Sequence, residues 1–419
     1  MGHAKKNPTW QSMQAGRAPQ QKSLRGGTGS GAFKKFLMIF FIVAFLFFTS
    51  WELFFYINDT YIHATGSQTA NPAGASSTPH VFESENSFVF RGPTPAPIHF
   101  KRPNFEAGII FPQWSPDGYG TTDWQQQLPA VQTQSGARWI ELTVFLSQAT
   151  PNSTQVRTNP STPTIQSFVA GIRAAHNLGF RVFVAPLMGV DSPAGQWSGT
   201  IQFSNTLDEA QWFDSYWKTY QPFVAAAAQN GADQVAIGTE LVWLEQNAPA
   251  DLWNTLITRV HGVFPGQVTY DMNWSSLAKQ PLSWMSNKLL AAIGVSEYLP
   301  LVNNRVRVDP KNMPGLWQTI VRDPIDTFSV KVRKSLIITE IGYRNSADTL
   351  YHPWLPYTTV SPPDPVEQAA ACDAALINVI PDQHIGGIFF WGWDGVQGFK
   401  LSGQPALGVL KKWYMSPQS

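Results

Sequence analysis

Two stretches of this 419-residue chain, Val235-Ala236-Ile237-Gly238-Thr239-Glu240 and Leu336-Ile337-Ile338-Thr339-Glu340, share one form: an apolar run that stops at a Thr-Glu pair. A short continuous apolar run bounded by polar residues reads as a strand buried on both faces, the kind that parallel sheets use. A carboxylate placed where such a strand ends, and met again one hundred residues later, is what a parallel β/α barrel needs to aim two acids into one cleft.

Working outward from these two runs, further strands are expected at 107–111, 139–145, 181–186, 268–272, 291–296 and 387–391, with the runs themselves at 234–239 and 336–339. Helix-like segments fall between them at 124–134, 165–178, 207–229, 250–263, 282–290, 315–328 and 365–379, with a last one at 406–414. Alternation of this kind implies a parallel sheet, and eight repeats suit a closed (β/α)8 TIM barrel better than an open doubly wound sheet. The first strand is followed by Pro112-Gln113-Trp114-Ser115-Pro116-Asp117 and not by a Gly-rich phosphate loop, which argues against a dinucleotide fold.

The chemistry of such a barrel sits at the C-terminal ends of its strands. Strand 4 ends at Glu240, strand 5 at Asp271-Met272-Asn273-Trp274, strand 6 at Glu297-Tyr298, strand 7 at Glu340 and strand 8 at Trp391-Gly392-Trp393-Asp394. Two carboxylates about 5 to 5.5 Å apart permit a retaining double displacement; a wider gap admits water and inverts. Aromatic residues near them, Trp114 included, would stack on sugar rings. Glu141 lies inside strand 2, where it is expected to point inward and pair with a basic residue, and Glu245, Asp271, Glu297 and Asp394 are weaker candidates. Arg173, His176 and His261 fall on helix-like segments and are assigned to the outer surface. Trp197 and Trp354, in long loops, are candidates for outer sugar subsites or for loop anchors.

Four of these segments, Ile237-Gly238-Thr239-Glu240-Leu241, Ile293-Gly294-Val295-Ser296-Glu297-Tyr298, Ile338-Thr339-Glu340-Ile341-Gly342-Tyr343-Arg344 and Gly387-Ile388-Phe389-Phe390-Trp391-Gly392-Trp393, resemble the glycoside hydrolases of clan A, most closely the family 113 β-mannanases. The similarity runs from about 105 to 414. It implies retaining chemistry with Glu240 as acid/base and Glu340 as nucleophile, Tyr298 bonded to Glu340, and Trp391 under the reacting sugar. Most of the clan has Asn before the acid/base, to hold the sugar 2-hydroxyl; this chain has Thr239 there, so that contact is expected either to be weaker or to be taken over by another residue such as Asn273. A catalytically silent glycan-binding barrel is the alternative reading, and a structural barrel in an envelope assembly a third.

The N-terminal part of the chain carries a separate message. Residues 1–35 hold seven Lys or Arg and no acid, so of the overall +1 a tail of +7 leaves −6 for the rest. That is a basic tail on a mildly acidic domain, and it does not describe a nucleic-acid-binding face. Residues 36–57 are apolar but for Glu52 and a few small polar residues, long enough to span a bilayer, with Lys34 and Lys35 before them. A signal anchor with the N-terminus cytoplasmic is expected; a cleaved signal peptide is the competing reading, with a leader and apolar run that are both too long for it. Residues 58–104 read as a Ser/Thr/Pro/Gly-rich linker, and 105–419 as the extracytoplasmic barrel domain. The single cysteine, Cys372, excludes an intrachain disulfide, and no His/Cys cluster has zinc spacing. The substrate expected is a polysaccharide or oligosaccharide, with no cofactor.

Overall fold

A computed structural model describes residues 102–415 apart from 193–195, 356–360 and 395–397. Nine strands form in chain order: β1 (Glu106–Ile110), β2 (Trp139–Gln148), β3 (Val156–Thr158), β4 (Arg181–Val190), β5 (Gln234–Thr239), β6 (Gln267–Asn273), β7 (Ile293–Glu297), β8 (Leu336–Ile341) and β9 (Ile385–Trp391). Eight of them run parallel in one sheet, and β1 pairs with both β2 and β9, so the sheet closes on itself as a barrel. The ninth, β3, is a short antiparallel strand on the extended end of β2, Leu146 to Gln148. The sequence does not announce it, because three residues carry no readable period.

The helices are α1 (Thr122–Ser135), α2 (Ile165–Asn177), α3 (Thr206–Gln229), α4 (Val242–Asn247), α5 (Ala250–His261), α6 (Met313–Trp317), α7 (Asp323–Val332), α8 (Pro365–Val379) and α9 (Ala406–Met415). Several start where a side chain caps the free amides: Thr164 accepts from Ser167, Asn205 from Asp208 and Asp364 from Glu367. Two expected helices differ. The segment 282–290 is only a 3-10 turn, Ser283–Ser286, because the Asn287 carboxamide captures the Leu289 amide and ends it. The segment 315–328 is broken by a π turn, Gln318–Arg322, ahead of Pro324, which has no amide to continue the ladder.

Strand residues sort into two apolar clusters by parity. Ile140, Leu142, Val144 and Leu146 of β2 join the larger cluster with the helices, whereas Trp139 and Phe145 join a smaller one with Ile110, Phe183, Ala236, Ile337 and Phe389. Successive strand side chains point to opposite faces, so the smaller cluster is the barrel interior and the larger is the layer between strands and helices. By the same parity Glu141, Asp271, Asn273 and Ser296 face inward.

That parity is broken at two places, and both are Thr-Glu ends. The three steps of β5 from Ala236 to Thr239 oppose only two steps of β6, from Thr269 to Asp271. On β8, Ile337 to Glu340 likewise takes one residue more than Gly294 to Ser296 on β7. Each is a bulge of one extra residue, which bends the strand and re-aims the side chains beyond it. On β8 the outward positions are Ile338 and Ile341, so Thr339 and Glu340 are both left for the inner side. On β5 two carbonyls near the bulge accept from hydroxyls of α3: Tyr220 donates to Ala236 at 3.1 Å and Tyr216 to Ile237 at 2.9 Å.

Among the described residues no helix is long and apolar enough to cross a membrane. The expected span 36–57, the basic tail and the linker through residue 101 lie outside the described residues. Arg102, among the last residues assigned to that linker, donates to the carbonyls of Val379, Ile380, Asp382 and Ile385. Cys372 is fully buried on α8, where burial pushes its thiol pKa up and keeps it unreactive.

The interior also depends on one close approach. At Gly108 an added Cβ would lie 2.1 Å from the Phe389 ring. Gly108→Ala is expected to cost about 1–3 kcal/mol through overpacking, read as a lowered Tm by thermal unfolding; an unchanged Tm would mean that the ring has room to move.

Candidate active site

Glu240 follows β5 directly, with φ of 53°, in the left-handed region that residues other than glycine rarely occupy. Such a conformation costs on the order of 1–3 kcal/mol and persists only where its surroundings fix it. Here the Glu240 amide donates to the Asp271 carbonyl at 2.8 Å, Asn273 Nδ2 donates to Glu240 Oε1 at 2.6 Å, and Trp197 Nε1 donates to Oε2 at 2.6 Å. Ser198 Oγ reaches the Glu240 carbonyl at 3.3 Å. Every polar group of this glutamate is therefore held.

Glu340 is held differently. Tyr298, at the end of β7, donates its hydroxyl to Glu340 Oε1 at 2.6 Å, as the family resemblance implied. Burial pushes the Glu340 carboxyl up to about 8, with the charge of Glu240 adding to the rise and the Tyr298 bond opposing it. Burial also raises Glu240, against the two donors from Asn273 and Trp197. Burial thus pushes both carboxyls toward their protonated forms.

Aromatic residues gather at the same strand ends. Trp391 is buried in the interior cluster, Trp114 meets it edge-on with ring centres 6.3 Å apart, and Trp114 stacks on Phe145 at 4.4 Å. Trp274, the residue after Asn273, stacks on Trp354 at 5.6 Å.

The remaining expected site residues have varied surroundings. Thr239 is buried with an inward register, and its Oγ1 makes no hydrogen bond. Asn273 is fully used within the protein, its amide on Glu240 and its oxygen on the Ser275 amide. Trp393, expected at the substrate, instead lies in the outer layer: the backbone turns after β9 as the Trp393 amide bonds Ile110, and the indole donates to Gln127 on α1 at 3.0 Å. Glu141 does point inward, but no basic partner for it exists among the described residues. The charges facing it are Glu340 and Asp271, its Oε2 has no hydrogen bond, and burial holds its carboxyl well above the usual range.

The weaker candidates are engaged elsewhere. Glu245 accepts from Ser276, Gln246 and Tyr270, Glu297 accepts from the Leu299 amide, and Asp394 pairs with Lys400 at 2.9 Å. Arg173 and His261 are exposed and His176 is half-buried beside Asp233. Among the described residues Asp326, Asp382 and His384 lie near enough to one another to suggest a metal, yet Arg322 already pairs with both aspartates. Trp197 is the contact that sequence reasoning placed least well, since it lies 43 residues from Glu240 with no periodicity to link them.

A family model described as Glycoside Hydrolase Family 113 matches residues 113–402. Among solved structures, a family 113 β-1,4-mannanase is 21% identical, with a TM-score of 0.64 over 75% of this chain and 99% of that one. The family 113 β-mannanase of Alicyclobacillus acidocaldarius, in complex with ManMIm, is 20% identical, with a TM-score of 0.63 over 74% of this chain and 97% of that one. A β-glucuronidase of Ruminococcus gnavus is 12% identical at a TM-score of 0.51, covering 75% of this chain and 50% of its own. At these identities the structural likeness concerns the fold. No curated protein matches the chain.

The Trp197 indole favours the anionic form of Glu240, because a donor on a carboxylate stabilises its charge. Trp197→Phe keeps the ring and removes the donor, so the pH at which Glu240 loses its proton is expected to rise. The measurement is the pH titration of the Glu240 carboxyl 13C resonance; a midpoint that falls or stays would contradict this account.

Proposed function

We propose that this chain, which belongs to Glycoside Hydrolase Family 113, hydrolyses a β-1,4-mannan or related β-glycan by retaining double displacement, with Glu340 as nucleophile and Glu240 as acid/base. The observation that carries the reading is the pair of bulged Thr-Glu strand ends, whose glutamates face one aromatic-walled interior and are each gripped by side-chain donors.

In the first step Glu340 attacks the anomeric carbon, the glycosidic C–O bond breaks, and the proton on Glu240 passes to the leaving oxygen. Esterification makes Glu340 neutral, so a charge on Glu240 no longer faces a second carboxylate. Glu240, now anionic and stabilised by Asn273 and Trp197, takes a proton from water as the water oxygen bonds to the anomeric carbon and Glu340 departs. Tyr298 steadies the Glu340 carboxylate before attack and on release. Trp391 and Trp114 supply apolar surface for the sugar faces.

The substrate class rests on the family and on the family 113 mannanases that this fold resembles. Placement outside the membrane, tethered by residues 36–57, rests on the basic tail and apolar run alone.

Reducing-sugar release is expected from β-mannan or glucomannan and not from xylan or β-glucan. Glu340→Gln should lower that rate by about a thousandfold or more, since an amide is no nucleophile here. Near-normal turnover by the variant would rule out the assigned roles, and glycan binding without any release of reducing ends would favour the silent-barrel reading.

A further inference from the structure

Asp271 lies on β6 between the two bulged strands and touches both. Its carbonyl accepts the Glu240 amide at 2.8 Å. Its carboxyl accepts the Thr339 hydroxyl at 2.6 Å, one residue before Glu340, and the Ser296 hydroxyl at 3.1 Å. Two residues further along the same face, Asn273 holds the Glu240 carboxyl. The side chain is 2% exposed and cannot reach substrate from its place beneath the glutamates.

We propose that Asp271 is a positioning residue that fixes the separation of Glu240 and Glu340 by pinning the bulged ends of β5 and β8 to β6. Strand β7 lies between β6 and β8, and the Thr339-to-Asp271 bond passes over it at Gly294. An added Cβ there would stand 2.7 Å from Thr339 Oγ1 and 3.2 Å from the Asp271 Cα, so the bond requires a residue with no side chain at that point. A bulge has lost its local ladder bonds and is the least determined part of a strand. Two bulges facing each other leave the gap between their side chains free to drift, and that gap decides whether a nucleophile reaches the anomeric carbon or water enters between. One residue that bonds to both sides removes the freedom. Burial raises the Asp271 carboxyl to about 8, with the Glu240 charge adding to the rise and the Thr339 and Ser296 bonds opposing it, so near neutrality it holds its place mainly as a neutral acid, which an amide can mimic.

The inference rests on the function proposed above, and the experiment separates the two. The full chain is compared as wild type, Thr339→Val, Asp271→Ala and Asp271→Asn, in kinetics on β-1,4-mannan and in 13C titrations of the Glu240 and Glu340 carboxyls. Thr339→Val keeps the shape of the side chain and removes one hydroxyl. It is expected to lower kcat ten- to a hundredfold with KM within twofold, and to move the Glu240 resonance as well as that of Glu340. Tyr298→Phe, which loosens Glu340 without touching Asp271, gives the size of shift that charge coupling alone transmits. Asp271→Asn should retain at least tenfold more kcat than Asp271→Ala. A Glu240 response to Thr339→Val no larger than that to Tyr298→Phe, or equal losses in the Asn and Ala variants, would overturn the proposal. If the wild type hydrolyses no glycan, the functional reading fails while the titrations still decide the role of Asp271. Should Asp271→Ala not fold, Thr339→Val carries the comparison.

Discussion

One extra residue in each of two strands governs this site. A regular strand alternates its side chains between barrel interior and helical layer, and a Thr-Glu pair on it would send one member to each. The β8 bulge suspends that rule for a single step, so that Thr339 and Glu340 turn toward the same side, whereas on β5 the extra residue comes before Thr239 and the left-handed backbone at Glu240 follows it. The glycine at position 294 and the inward hydroxyl of Thr339 belong to the step on β8.

The interior so formed is unusually acidic. Glu141, Asp271, Glu240 and Glu340 influence one another across it, and none is paired with Lys or Arg among the described residues. In a water-poor setting such groups cannot all be ionised, and the cost is met by retaining protons and by neutral donors: Asn273, Trp197, Tyr298, Thr339 and Ser296. A basic partner would instead hold one glutamate permanently charged, and the alternation between proton donor and proton acceptor would be harder to achieve.

The architecture was legible because it depends on periodicity. Eight apolar runs alternating with amphipathic ones pointed to the barrel, and carboxylates at run ends pointed to Glu240 and Glu340; the Tyr298 contact came through family resemblance. The bulges were not legible, since one extra residue inside a run such as Ile337-Ile338-Thr339 leaves no mark in its composition. Trp393 misled because adjacency to Trp391 suggested a shared face, whereas the chain turns outward at once after β9. Glu141 misled in another way: an inward acid in a dry core usually implies a cation, and here it faces other acids. The engagement of Trp197 depends on where a long loop folds back, which local sequence does not encode.

The α3 tyrosines give the barrel wall at β5 a composite character. Beside the main-chain pairing of the sheet, the Ala236 and Ile237 carbonyls are fastened by phenol groups rooted in an outer helix. The acid-bearing end of the strand is thereby tethered to the rind of the molecule as well as to its neighbours in the sheet. Lengthwise slippage of α3 by even a fraction of a turn would be transmitted directly to the backbone three residues ahead of Glu240. The mechanical frame of the site therefore extends beyond the barrel, and the helix behind the acid belongs to it as much as the strand does.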